Sequence, residues 1–349
     1  MQTRRAFIKL LCGLGAAALP WTGLPRRWQG SLQSWVARPP VKFVRSPAED
    51  EQMDFKRLAA AHLERTAWDD VNVLAGSDFG GRRAGTVGEG KAAGYLIQEM
   101  AGIGLVPMGS LKQDGKPGFA HAFTIPEVAA SVVNGRLVMR PQAGLKSPAL
   151  NLLGALPGEN AEEIIIISAH YDHLGVYQGK LYPGANDNAS GVGCVLEVMR
   201  RLVRAEMKPK RTVVAAFWSA EEMGFLGSNA FVRSPSFPLA RLVAVLNVDT
   251  VGNGPTGEFM LWADGLNRAA KACADAAAQA GASAPLGPTN GHNSDHISFA
   301  HKGIPAVTLL ARKWLEKNHT PEDGVNLLNR DQLKLAAEIL YRAVQIAAV

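Results

Sequence analysis

Residues 162–173 read EEIIIISAHYDH, four isoleucines that run directly into a cluster of polar side chains. An apolar run that ends so abruptly is typical of a parallel strand buried on both faces, with a site beyond its carboxyl end. Similar runs recur at 213–217, 242–248, 258–262 and 304–310, and helical patterns occupy 189–204, 265–280, 295–301 and 331–347. This alternation predicts an α/β fold with a doubly wound, mainly parallel sheet and helices on both faces.

The chain before this sheet has a different pattern. Residues 54–66 and 88–100 predict helices, and residues 119–153 alternate β-like stretches with turns, which predicts edge strands or a small cap. We expect one catalytic domain over 51–349 that contains this strand-rich insert. A glycine-rich segment between the two helices is assigned to the fold, not to chemistry: Gly81, Arg82, Gly85 and Thr86.

The amino-terminal residues predict an export signal. Residues 3–9 read TRRAFIK and precede an apolar run over 10–19 that is too short to span a bilayer. The paired arginines resemble the twin-arginine export motif. We therefore expect an export signal over 1–25, an irregular tether over 26–50, a periplasmic or secreted location, and no stable membrane anchor after cleavage.

Composition argues against several other classes of protein. The chain has 349 residues, is 47% hydrophobic and carries a formal charge of +6. The basic residues are scattered and show no aromatic interleaving, so no nucleic-acid partner is expected. Of the three cysteines, Cys194 and Cys273 lie on predicted helices and are interpreted as small buried apolar residues.

Potential metal ligands follow the predicted strands where each one ends. Five separate strand-end loops supply them: one holds His170, Asp172 and His173, and the others hold Asp187, the pair Glu221 and Glu222, Asp249, and His319. The carboxyl ends of parallel strands meet at one edge of a sheet, so we expect these side chains to lie close together. Gathered without a cation, the carboxylates would repel one another. Two imidazoles with three carboxylates suit zinc, or cobalt or manganese, and five ligands suffice for two ions if one carboxylate bridges them. Asp172 is placed to hold the second ring nitrogen of His170.

Six strings in this order resemble one known family: SAHYDHLG, PGANDNASGVG, WSAEEMGFLGS, NVDTVG, SDHISF with GIP, and HTPED. Together they are similar to the secreted bacterial di-zinc aminopeptidases of the leucine aminopeptidase type. That family belongs to the zinc peptidase superfamily that includes transferrin-receptor-like and glutaminyl-cyclase-like proteins. The resemblance runs from about residue 80 to the carboxyl end.

The resemblance implies a role for each matching residue. Asp187 would bridge two zinc ions, with His170 and Asp249 completing one site and Glu222 and His319 the other. Glu221 would be the general base that acts on a metal-bridged water. The peptide bond after Asp187 is expected to be cis. The implied substrates are peptides with a free amino terminus, which lose their first residue.

Several nearby residues carry less definite expectations. Similar enzymes often have a tyrosine near Asn318, so the oxyanion donor stays open, with Asn318 a candidate. Asp295 and His296 are expected in the pocket wall, whereas Phe299 could line a side-chain pocket or the core. His173 is expected to have a structural or outer supporting role, as are His292 and His296.

Three alternative functions remain open from the sequence. A glutaminyl cyclase would share the ligand set but use one zinc ion. A carboxypeptidase would need an arginine for the substrate carboxylate, and Arg312 lies near the predicted site loops. A receptor-like ectodomain would have lost its metals, which the complete ligand set argues against.

Overall fold

The isoleucine run lies within a strand, Asn160–His170, of a computed structural model that describes residues 61–348 except 114 and 207. The export segment and the tether lie outside the described residues, as does most of the helix predicted over 54–66, of which 61–64 are helical. In chain order the strands are β1 (Val106–Pro107), β2 (Lys112–Gln113), β3 (Lys116–Pro117), β4 (Ala120–Val133), β5 (Arg136–Leu156), β6 (Asn160–His170), β7 (Gly175–Tyr177), β8 (Lys180–Tyr182), β9 (Arg211–Trp218), β10 (Leu242–Val248), β11 (Phe259–Ala263) and β12 (Ala306–Ala311). After residue 64 the α-helices are α1 (Ala67–Leu74), α2 (Val87–Ile103), α3 (Gly191–Arg204), α4 (Leu226–Arg233), α5 (Arg268–Gln279), α6 (His296–Ala300) and α7 (Arg330–Ala347).

One sheet organises the molecule, with the order β1-β5-β9-β6-β10-β12-β11 and β4 added beside β5. The four central strands β9, β6, β10 and β12 are parallel, whereas the outer pairs are antiparallel. The mainly parallel sheet predicted from the apolar runs is therefore confirmed at its centre. Its central strands all end at the same edge, and the polar strings of the sequence follow there.

Alternation along β6 shows how the two faces are covered. Ile165 and Ile167 lie in a large apolar cluster with α1, α2, α3, α5 and α7, while Ile164 and Ile166 face a smaller cluster with α4 and α6. Successive side chains of a strand point to opposite faces, so each isoleucine pair is buried by a different helical layer. Cys194 and Cys273 are buried as free thiols on the larger side, as expected.

The insert, expected as edge strands or a small cap, consists of long strands in the outer part of the sheet. β4 and β5 form a long antiparallel hairpin, closed by Asn134 and Gly135 in the left-handed region. Two residues with positive φ are what a tight two-residue hairpin turn requires, and Asn-Gly is well suited to it. The pairing continues from Ala120 opposite Leu152 to Val133 opposite Arg136, with one irregularity between Ile125 and Glu127. The hairpin reaches the polar edge of the sheet.

No helix within the described part of the chain is long and apolar enough to cross a membrane.

Candidate metal centre

The polar edge of the sheet brings the five predicted ligands together. His170 is the last residue of β6, and Asp249 directly follows β10. Glu222 lies in a 3₁₀ turn, Glu221–Met223, that follows β9. Asp187 and His319 come from the loops before α3 and after β12. These loops meet because the strands that carry them are parallel neighbours.

Asp187 lies at the middle of the group, and its two carboxylate oxygens face different partners. His170 Nε2 is 3.3 Å from Asp187 Oδ1 and 3.4 Å from Asp249 Oδ1. His319 Nε2 is 3.2 Å from Asp187 Oδ2 and 3.0 Å from Glu222 Oε2. Each histidine nitrogen thus lies between Asp187 and one further carboxylate. Asp187 is placed as the bridge between two sets of ligands.

These spacings fit tetrahedral zinc. Two ligand atoms about 2.0–2.1 Å from one tetrahedral ion lie roughly 3.3 Å from each other. The four distances around His170 and His319 span 3.0–3.4 Å. One Nε2–H group cannot point well at two carboxylates at once. A cation placed between them can contact the histidine nitrogen and both carboxylates. The donor atoms are therefore suited to two zinc ions that share Asp187.

Both histidines have their second ring nitrogen occupied by a backbone carbonyl. His170 Nδ1 donates to the Asp172 carbonyl oxygen at 3.2 Å, and the Asp172 carboxylate lies farther away, at 3.7 Å. His319 Nδ1 donates to the carbonyl oxygen of Leu137 at 3.1 Å. This arrangement puts the proton on Nδ1 and leaves the Nε2 lone pair for a metal. The Asp172 carboxylate instead accepts the Glu221 backbone N–H at 3.1 Å.

The β4–β5 hairpin contributes directly to the centre, which the sequence did not suggest. Besides accepting from His319 Nδ1, Leu137 donates its own N–H to the His319 carbonyl oxygen at 3.0 Å. Arg136 adds a bond to the Leu315 carbonyl oxygen at 2.6 Å. His319 has a φ of +58°, an uncommon backbone conformation for a non-glycine residue. The hairpin therefore holds both the backbone and the ring of a predicted ligand.

The pKa values of the neighbouring residues Glu221 and Glu222 are shifted in opposite directions. Burial, together with Asp249, Asp295 and Glu222, raises the pKa of Glu221 well above its ordinary value although His170 opposes this. Despite burial, His319 and His173 lower the pKa of Glu222. The carboxylate of Glu221 lies close enough to His170 and Asp249 for ligand atoms of all three to fall within 4.8 Å of one another. One glutamate is thus held as an anion, and the other favours binding a proton.

The loop that carries Asp187 is fixed by a buried carboxylate from the HTPED string. Asp323 accepts the backbone N–H groups of Asn186 at 2.8 Å and of Asp187 at 3.0 Å. The Asp187–Asn188 peptide bond is cis, as the resemblance implied. Asn188 also ties the loop to β10, donating to the Val248 carbonyl oxygen at 2.9 Å. Asp323 was missed because one aspartate in a turn carries no distinctive sequence signal.

Behind the centre, Arg82 and Glu89 are buried and connect several segments. Arg82 donates to four backbone carbonyl oxygens, including Tyr171 at 2.9 Å and Gly184 at 2.8 Å. Glu89 accepts from the Gly85 N–H at 2.5 Å and from the Tyr171 hydroxyl at 3.3 Å, and contacts the Ser219 hydroxyl. Burial raises the pKa of Glu89 to about 8. Assigning the Gly-Arg segment to the fold agrees with these contacts.

The remaining expected residues divide between the centre and the core. Asn318 Nδ2 donates to Asp187 Oδ2 at 2.6 Å, so its amide is directed at the bridging carboxylate. Asp295 is buried near Glu221, and burial raises its pKa to about 7. His296, the first residue of α6, is buried and its Nδ1 bonds the hydroxyl of Thr308 in β12 at 2.7 Å. Phe299 lies in the apolar core beside Trp218, with ring centroids 5.6 Å apart, which is the second of the two positions expected for it.

A cleft of about 440 Å³ is lined by β11, by the segment after β12 and by the loop before α6, and none of the five predicted ligands lines it. Its lining includes His292, Arg312, Trp314 and Leu315 together with Phe259, Met260 and the segment 285–290. The His292 and Trp314 rings lie 4.9 Å apart. Two residues after His292, Ser294 donates its hydroxyl to Asp249 Oδ2 at 2.7 Å. The same loop thus lines the cleft and supports a predicted ligand.

Comparison with known proteins identifies the class. The family model of peptidase family M28 matches residues 151–344, more than half of the chain, and the protein belongs to this family. Aminopeptidase YwaD of Bacillus subtilis (strain 168) is 30% identical over 261 residues, which cover 69% of this chain and 54% of YwaD. The chain therefore spans about half the length of that relative.

Solved structures show the same fold. The chain is similar to BSAP, a zinc aminopeptidase from Bacillus subtilis, with a TM-score of 0.62 and 20% identity over 80% of this chain and 93% of BSAP. It is also similar to a glutaminyl cyclase from Porphyromonas gingivalis, with a TM-score of 0.58 and 20% identity over 80% of this chain and 96% of that structure. At such identities the likeness establishes the architecture, and both reactions occur among its neighbours.

Proposed function

We propose that this chain is a zinc-dependent aminopeptidase that removes the first residue from peptides with a free amino terminus. The observation that carries the proposal is the position of Asp187, whose two oxygens face His170 on one side and His319 on the other. Such a bridge is the arrangement that two-metal hydrolysis requires. Aminopeptidases among the sequence relatives and structural neighbours favour this reaction over others on the same scaffold.

The proposed ligands are His170, Asp187 and Asp249 for one ion and His319, Asp187 and Glu222 for the other. Bound zinc, or cobalt or manganese in its place, would supply Lewis-acid polarisation of the scissile carbonyl and activation of water. Asp187 holds the two sets of ligands in one geometry, and the backbone carbonyls at Asp172 and Leu137 keep both histidine rings oriented.

Glu221 is proposed as the general base. Its carboxylate lies beside His170 and Asp249, and its backbone N–H is anchored on Asp172. In this position it can accept a proton from the attacking water and return it to the leaving amine. The carboxylates around it attract the positively charged amino terminus of a peptide, which would restrict cleavage to the first residue.

The adjacent glutamates provide a matched test of these roles. Glu221→Gln should retain both metals but lower the turnover number by about 10²–10⁴-fold, because only proton transfer is lost. Glu222→Gln should lose one metal, because an amide is a poorer zinc ligand than a carboxylate. Metal content by elemental analysis and turnover on a leucine peptide would be measured for both variants. Equal metal loss in the two variants would contradict the assignment.

The reaction itself is tested by mass spectrometry of the zinc-loaded protein with four peptides: a free leucine peptide, its acetylated form, a glutamine peptide and one labelled at its carboxyl end. Loss of the first residue from free peptides alone, abolished by a chelator, is expected. Loss of ammonia from the glutamine peptide would instead indicate a cyclase. Release of the labelled residue would indicate a carboxypeptidase and draw attention to Arg312 in the cleft.

A further inference from the structure

A third histidine lies inside the centre, where the sequence predicted only a structural or outer supporting role without naming what it supports. His173 is completely buried, and its Nδ1 is 2.7 Å from Glu222 Oε1. Glu222 uses its other oxygen, Oε2, towards His319 Nε2 at 3.0 Å. The two oxygens of this proposed ligand therefore have separate partners, one of them His173.

We propose that His173 is a positioning residue for the second metal site, holding the Glu222 carboxylate by an Nδ1–H hydrogen bond so that Oε2 faces the ion. A carboxylate can rotate between one-oxygen and two-oxygen coordination, and a donor fixed on Oε1 prevents that rotation. Such outer partners orient ligands and set metal affinity. This inference rests on the proposed metal centre and adds a residue to it.

The distances favour this role over direct coordination by His173. Ligand atoms on one tetrahedral zinc ion lie roughly 3.3 Å apart. The 2.7 Å contact between His173 and Glu222 is shorter than this and suits an N–H···O bond, while Asp187 Oδ1 is 3.8 Å from the same nitrogen. His319 already provides the histidine nitrogen beside Glu222, on its other oxygen Oε2.

The surrounding chain holds the His173 ring in one place. Its backbone N–H donates to the Arg82 carbonyl oxygen at 3.3 Å, and its ring meets that of His319 edge-on, with centroids 5.9 Å apart. Gly184 has a φ of +61°, and a Cβ there would lie 2.5 Å from the His173 ring. His173 Nε2 has no hydrogen-bond partner within the described residues. The ring is thus oriented by packing and by the single bond from Nδ1 to Glu222.

The test compares three substitutions that differ in where they place a donor. The amide of His173→Asn occupies about the position of Nδ1 and can still donate to Glu222. His173→Gln places its amide farther out, and His173→Leu has no donor. His301→Leu, at an exposed position, is the control. Zinc affinity is measured by competition with a chelator, without any peptide substrate, and folding is checked by circular dichroism.

The leucine and glutamine variants should bind one of the two zinc ions about 10–100-fold more weakly. The asparagine variant should recover most of that affinity, and His301→Leu should match the wild type. The effects of His173→Leu and Glu222→Gln should not be additive, because both act on one ligand. If the leucine variant fails to fold, the asparagine and glutamine pair still makes the comparison.

Two results would overturn the proposal. One is wild-type zinc affinity in both the leucine and glutamine variants. The other is an asparagine variant as weak as leucine that also loses one nitrogen ligand in X-ray absorption, which would make His173 a direct ligand. A protein that binds two zinc ions but cleaves no peptide would contradict the proposed function while leaving this inference standing.

Discussion

Arg82 is the residue whose replacement should reveal how strongly the chain behind the centre is held together. Its side chain is completely buried and donates to the carbonyl oxygens of Leu74, Tyr171, Pro183 and Gly184 at 2.7–2.9 Å. The last three lie in the chain between β6 and the Asp187 segment. Replacing Arg82 with methionine would fill similar space but leave four buried carbonyls without this partner.

The expected loss follows from two opposing terms. Hydrogen bonds to a charged group contribute about 1.5–3 kcal/mol each. Burial lowers the pKa of Arg82 to about 10, so it remains a cation at neutral pH, at a cost of roughly 3 kcal/mol. With four bonds near the lower end of the range, Arg82→Met should reduce the free energy of unfolding by about 3 kcal/mol. Removing one partner from a buried ion pair typically lowers the free energy of unfolding by about 3–5 kcal/mol, which agrees with this value.

Urea unfolding of the metal-free protein, followed by circular dichroism, measures this difference. The adjacent Arg83→Met is the matched control. Unlike Arg82, Arg83 is partly exposed to solvent, so its replacement is expected to cost no more than about 1 kcal/mol. Arg82→Met should also weaken zinc binding, because the loops it holds carry the ligands. A loss below about 1 kcal/mol in Arg82→Met, or an equal loss in both variants, would refute the reasoning.

Further predictions concern other residues around the centre and the export signal. The pKa of Glu89 is about 8 in the folded protein against 4.5 ordinarily, so the folded state binds this proton more tightly: the stabilisation is complete below pH 4.5 and is lost as pH rises through 8. Glu89→Gln should remove that fall, and an unchanged pH profile of urea midpoints would contradict it. Asp323→Ala leaves two backbone N–H groups unpaired and should cost about 2–4 kcal/mol by the same unfolding measurement. Asn318→Ala should lower the turnover number more than it raises KM at saturating zinc; unchanged turnover would remove Asn318 from the mechanism. Replacing Arg4 and Arg5 with lysine should keep the protein in the cytoplasm, as cell fractionation would show, if export uses the twin-arginine route.

The centre of the sheet and the group of polar residues at its edge were predictable from the amino-acid sequence. Isoleucines at 164–167 could only be buried on two faces, and parallel strands place their carboxyl ends together. His170 and Asp249 were therefore expected as neighbours although they are 79 residues apart in the chain. The sheet and the group of ligands were both predicted from local hydrophobic patterns and from the rule that parallel strands end at the same edge.

The groups that support these ligands could be identified only from the folded chain. The Leu137 carbonyl that orients His319 is 182 residues away in the chain. Because every residue has the same backbone carbonyl, no side-chain pattern in the sequence indicates which one will bind the ring. The insert was expected as edge strands or a small cap, and the length of its two strands was not predicted because it depends on the pairing between β4 and β5. The role of His173 also depended on the tertiary structure. Its distance from Glu222 is set by how the loops after β6 and β9 meet, which hydrophobic periodicity does not specify.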